Sequence, residues 1–202
     1  MNERPKDLSG LVASRLCHDL VSPVGAIGNG LELLTMTGLA KTPELALVMD
    51  SLENAQARLR FYRVAFGSSR EDQSMGSPEL AAILHGVYGA GRLTATCDTE
   101  GEIGRDSAKL ALLLVLCIEA SLSHGGQITV TRNGPGWIIT GSGKRYRDLG
   151  DLWTLLETPQ GPSSVSPDRV QFPLAHQHAA HMGLQLCVSQ DAAAVKVTTS
   201  LR

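Results

Sequence analysis

The stretch Arg15-Leu16-Cys17-His18-Asp19-Leu20-Val21-Ser22-Pro23-Val24-Gly25-Ala26-Ile27 lies inside a helical pattern that runs from Asp7 to about Gly67. At about 100° per residue, Leu16, Leu20, Ile27 and Leu34 fall on one side and His18 roughly opposite. An imidazole on the polar face of an amphipathic helix points at solvent. The same face carries Ser22, Gly25, Asn29 and Glu32, small and polar side chains that let another protein's helix come close. Pro23 and the glycines at 25, 28 and 30 are poor helix formers, proline by about 3 kcal/mol in a helix interior, and such a concentration suggests a functional bend.

Further along, Gly38 serves as a helix stop, and Thr42-Pro43-Glu44 as a new start. The pattern is therefore a helical hairpin. Its first arm shows Leu8, Val12, Leu16, Leu20, Val24, Ile27, Leu31 and Leu34; its second shows Leu45, Val48, Leu52, Ala55, Leu59 and Tyr62. Two helices bury little apolar surface, so both stripes need a partner, and a homodimeric four-helix bundle is the expected completion.

The polar run from Gly67 to Ser77 reads as a linker. Residues 1–67, 68–77 and 78–202 are thus expected to be hairpin, linker and a second domain. In that domain Ser77-Pro78-Glu79 opens a helix near 79–89. A strand near 92–97, a helix near 107–123 and a hairpin about Asn133-Gly134 with arms near 127–132 and 137–141 follow. A helix near 148–157, a Pro/Ser loop at 159–168, a helix near 172–182 and strands near 184–189 and 194–200 complete an α+β sandwich, one mixed sheet under helices.

Composition narrows the function. In 202 residues, 19% are charged and the net charge is −2, which argues against nucleic-acid binding, as does an aromatic content of 4%. The longest apolar run, Leu110 to Ile118, is too short to span a membrane, and the first residues lack a signal sequence. Cys17, Cys97, Cys117 and Cys187 stand apart with no CxxC pair, which argues against zinc and a disulfide scaffold. A cytoplasmic protein is expected.

His18, Asp19 and Pro23 match the phosphoacceptor box of two-component histidine kinases and their relatives. The wider string from Leu16 to Ile27 resembles most the ChpT-type histidine phosphotransferases of alphaproteobacteria. The resemblance spans the chain. It implies a homodimer whose hairpins form the dimerisation and phosphotransfer bundle, followed by a domain like the Bergerat ATP-binding fold. It further implies a phosphorelay role: His18 takes phosphate from the receiver domain of a hybrid histidine kinase and passes it to response regulators of the CtrA and CpdR type. Asp19 is the family's candidate for orienting the ring or accepting its proton. Helical spacing adds Arg15, one turn before, as a phosphoryl partner and Ser22, one turn after, as a hydrogen-bonding group.

The kinase-like domain departs from an ATP site. Glu119-Ala120 stands where a kinase has asparagine and alanine, and Ile139-Thr140-Gly141-Ser142-Gly143 has isoleucine where an aspartate would read adenine. The glycine-rich lid is reduced to Gly183. ATP is therefore not expected to bind, no cofactor or metal is expected on this chain, and magnesium would come with the partner receiver domain. The spacing of His176, His178 and His181 lets only the last two converge, and Gly141 to Lys144 lacks a Walker spacing. Lys144, Arg145 and Arg147 form at most a small basic rim. An ATP-dependent kinase core and a noncatalytic scaffold that binds response regulators are the alternatives.

Overall fold

The computed structural model describes residues 8–36, 42–69, 72–158, 165–191 and 193–202. The expected turn at 38–41 and most of the Pro/Ser loop lie outside these. The chain divides into two compact units, Met1–Ser68 and Ser69–Arg202.

The first unit is a hairpin of α1 (Leu8–Met36) and α2 (Pro43–Ala65). The start of α2 is capped as its sequence dictates: the Thr42 side chain accepts a hydrogen bond from the Leu45 N–H at 3.3 Å, with Pro43 in the first turn. Helix α1 runs unbroken through Pro23.

The seam between the arms takes up only part of the expected stripe. Leu16, Leu20, Ile27 and Leu34 are exposed, between 47% and 58%. The side of α1 that meets α2 lies about 100° further round, along Gly10, Ala13, Cys17, Val24, Gly28 and Leu31, each buried or half-buried. A Cβ at Gly28 would approach Leu52 Cδ2 and Gln56 Nε2 at 3.3 and 3.2 Å, and Ser14 Oγ accepts from the Ser68 N–H at 2.9 Å. Small residues let the helices close together, and the large aliphatic side chains are left facing outward.

The second unit contains β1 (Ser74–Gly76), α3 (Ser77–Tyr88), β2 (Leu93–Asp98), β3 (Glu102–Gly104) and α4 (Arg105–Ser121). The hairpin β4 (Gly126–Asn133) and β5 (Gly136–Ser142), α5 (Asp151–Glu157), a 3-10 turn at Pro167–Arg169, α6 (Gln171–His181), β6 (Leu184–Gln190) and β7 (Ala194–Leu201) follow. Five strands form a mixed sheet in the order β2-β4-β5-β7-β6, parallel only between β2 and β4. Alternation sets its faces: the paired rows Val130, Ile139, Val197 and Ile128, Gly141, Val195 turn inward, while Thr129, Thr140 and Lys196 turn outward. Helix α4 packs on the inner face and is buried along all of Ser107 to Ile118. Trp137 locks it to the sheet, its indole N–H donating to the Ser107 carbonyl at 2.9 Å.

Two expectations are revised. The polar run read as a linker contains β1, which pairs with β3 and buries Met75 opposite Ile103. Helix α5 begins at Asp151 rather than 148, because Gly150 takes a φ of 52° and the Asp148 carboxylate accepts its N–H at 3.0 Å.

Candidate functional site

His18 stands midway along α1 with its side chain 83% exposed. Its Nδ1 lies 3.1 Å from Asp19 Oδ1, while Arg15 Nε donates to Asp19 Oδ2 at 2.7 Å. Three residues within five positions thus form one hydrogen-bonded unit. The Asp19 carboxyl is held below the usual carboxylate range, first by the hydrogen bond with His18 and then by Arg15. An ionised carboxylate only accepts, so Nδ1 is the donor in this contact and Nε2 is the ring nitrogen left outside it.

Sequence spacing suggests Arg15 as a phosphoryl partner; in the structure its Nε donates to Asp19. The signal was present as an acid four residues after a base. Ser22 stands exposed one turn beyond His18, apart from the hydrogen-bonded trio. Pro23 has no N–H to donate to the Asp19 carbonyl four residues earlier. Cys17 is buried at the seam, and burial pushes its thiol pKa up, so it does not form a pair with the exposed imidazole.

The rest of this face is open. Ser22, Asn29 and Glu32 are exposed, and a Cβ built at Gly25 meets nothing within 4 Å.

In the second unit, the positions compared with an ATP site serve packing. Ile139 is fully buried between Val130 and Val197. A Cβ at Gly141 would collide with Ile118 and lie 3.1 Å from Leu122. Glu119 accepts a hydrogen bond from the Tyr88 hydroxyl at 2.9 Å. Gly183 has a φ of 71° and turns the chain from α6 into β6. Two of the three histidines of α6 go different ways: His176 Nδ1 is 2.7 Å from the Leu156 carbonyl, and His178 Nε2 is 2.8 Å from that of Asp106. Lys144, Arg145 and Arg147 are exposed.

The family described as histidine phosphotransferase C-terminal domain matches residues 77–194, more than half of the chain. The chain belongs to this family of histidine phosphotransferases. Its similarity extends to the protein phosphotransferase ChpT of Brucella abortus (strain 2308), with 36% identity over 151 residues, 70% of each chain. A solved structure described as a bacterial phosphotransferase superposes with a TM-score of 0.69 at 26% identity, covering 99% of this chain and 98% of that one. The ChpT-type assignment made from residues 16–27 therefore stands. No helix among the described residues is long and apolar enough to cross a membrane.

Proposed function

We propose that this chain is a dimeric phosphorelay intermediate that moves a phosphoryl group between receiver-domain aspartates through phosphohistidine at His18. The observation that carries the reading is the exposed imidazole whose Nδ1 is tied to an ionised Asp19. The Nε2 lone pair attacks phosphorus, the P–N bond forms, and the donor aspartate leaves as a carboxylate when its P–O bond breaks. The ring, now carrying substituents on both nitrogens, is positively charged, and Asp19 balances that charge while keeping the proton on Nδ1. Attack by an acceptor aspartate reverses the step and returns the neutral imidazole. The magnesium that shields the aspartate and phosphoryl charges belongs to the receiver.

Residues 1–67 act as the dimerisation and phosphotransfer hairpin, with Ser22, Gly25, Asn29 and Glu32 as the docking face. The exposed stripe of Leu16, Leu20, Ile27 and Leu34 supports dimerisation, because a second copy would cover it. Residues 78–202 act as a degenerate Bergerat-like domain. Its residues do not fit a nucleotide: an aliphatic side chain replaces the adenine-reading carboxylate, and Ile118 and Leu122 fill the space at Gly141. By family resemblance, the donor is a hybrid kinase receiver and the acceptors are regulators of the CtrA and CpdR type. The test supplies labelled phosphate from two sources. A phosphorylated receiver domain should label the chain, and Mg-ATP alone should not. Labelling from ATP would establish the kinase reading in its place, and tight receiver binding without any labelling would establish the scaffold.

A further inference from the structure

Phosphoryl transfer places charge on three equatorial oxygens, which a cation or hydrogen-bond donor must stabilise. Arg15, three residues before His18, spends its Nε–H on Asp19 at 2.7 Å, which turns that edge of its guanidinium to the carboxylate. We propose that Arg60 of α2 binds the phosphoryl group carried by His18, an assignment that rests on His18 being the carrier.

Three lines of geometry lead to Arg60. The first is register. Ser14 meets Ser68, Gly28 meets Leu52 and Gln56, and the charge of Arg63 acts on the Cys17 thiol. In this antiparallel alignment His18 is level with residues 62–66, and Ser22 is level with Arg60. Arg60 therefore flanks the carrier from the side of Ser22, opposite to Arg15.

The second is the side of the hairpin. The α2 seam follows Leu45, Met49, Leu52, Gln56 and Leu59, all half-buried. At about 100° per residue, Arg60 stands roughly 60° past the centre of that seam, and His18 stands roughly 110° past the seam of α1. In antiparallel neighbours, rotations of the same sign past the two facing seams bring residues out on the same side of the pair. Arg60 and His18 thus emerge together. Helices in contact have axes about 8–10 Å apart, a gap that an arginine side chain crosses.

The third is availability. Arg60 is exposed and forms no ion pair with a described residue. Its guanidinium fork matches two phosphoryl oxygens at once. Arg58 lies about 200° round the helix from it and faces away.

The experiment uses the full chain and a receiver domain bearing labelled phosphoaspartate, with single-turnover transfer followed as receiver concentration varies. Arg60→Gln should lower the saturating rate by about 10-fold or more, as loss of a charged donor to a developing anion does. The half-saturating concentration should change by less than about 3-fold. Arg58→Gln should transfer at the wild-type rate. If Arg60→Gln fails to fold by circular dichroism, Arg60→Lys, which keeps the charge but not the fork, is read in the same way and should lose a smaller part of the rate. An unchanged saturating rate beside a wild type labelled on His18 overturns the assignment, as does a loss confined to the half-saturating concentration. A wild type that is never labelled overturns the relay reading first, and this inference with it.

Discussion

The two units treat apolar residues in opposite ways. In the second, α4 hides every side chain from Ser107 to Ile118 between the sheet and its neighbouring helices, and the inner rows of β4, β5 and β7 close the core within one chain. In the hairpin, α1 seals against α2 through small residues and leaves Val12, Leu16, Leu20, Ile27 and Leu34 about half exposed or more. A helix pair that stops at this point has unfinished business with solvent. One unit is built to be complete alone. The other leaves an apolar face exposed and, roughly opposite, a polar face around His18, which the proposed relay would give to a second copy and to a transient partner.

That contrast can be broken in order of size. Leu20→Glu puts a charge on the outward stripe and should raise the dimer dissociation constant by about 30-fold or more, equivalent to about 2 kcal/mol. Light scattering across a concentration series reads this; an unshifted dimer means that another surface joins the copies. Next is Gly25→Leu, at a place with nothing within 4 Å of a new Cβ. Stability should hold or rise by up to about 1 kcal/mol, as for replacing a helical glycine, while receiver-dependent transfer slows. Transfer at full speed would remove Gly25 from the docking face.

The smallest effect belongs to the self-contained unit. Burial holds the His178 pKa below the usual histidine value, with Lys109 and His181 pushing in the same direction and Asp106 opposing them. Protonation is therefore harder in the folded state. The stability that neutral His178 provides is complete above its unfolded pKa of about 6.5 and is lost as pH falls through the lower folded value. Thermal melts of His178→Gln should show a shallower acid slope than wild type, and identical slopes would assign the acid sensitivity to other groups.

How much of this could be read from the residues follows the same division. The exposure of His18 was legible because it depends only on helical phase against large aliphatic side chains. The intrachain seam was not, because it is written in Gly10, Ala13, Cys17 and Gly28, which carry little hydrophobic signal and matter through closeness. Strands β2, β4, β5, β6 and β7 and the three longer helices of the second unit announced themselves by periodicity, capping and the Asn133-Gly134 turn. The pair β1 and β3 did not, since three residues with one buried side chain each show no alternation. Within the site, Arg15 and Asp19 stand at ion-pair spacing, yet which edge of the guanidinium meets the carboxylate was not legible until the structure showed Nε on Asp19.

The central claim is that one imidazole carries the phosphoryl group, and labelled transfer between two receiver domains through wild type and His18→Ala tests it most directly. The exposed ring contributes little to folding, so the variant should keep its stability within about 0.5 kcal/mol. The account predicts acid-labile, alkali-stable label on the wild type, delivered onward to the second receiver, and neither uptake nor delivery by His18→Ala. Relay by His18→Ala at the wild-type rate would contradict it.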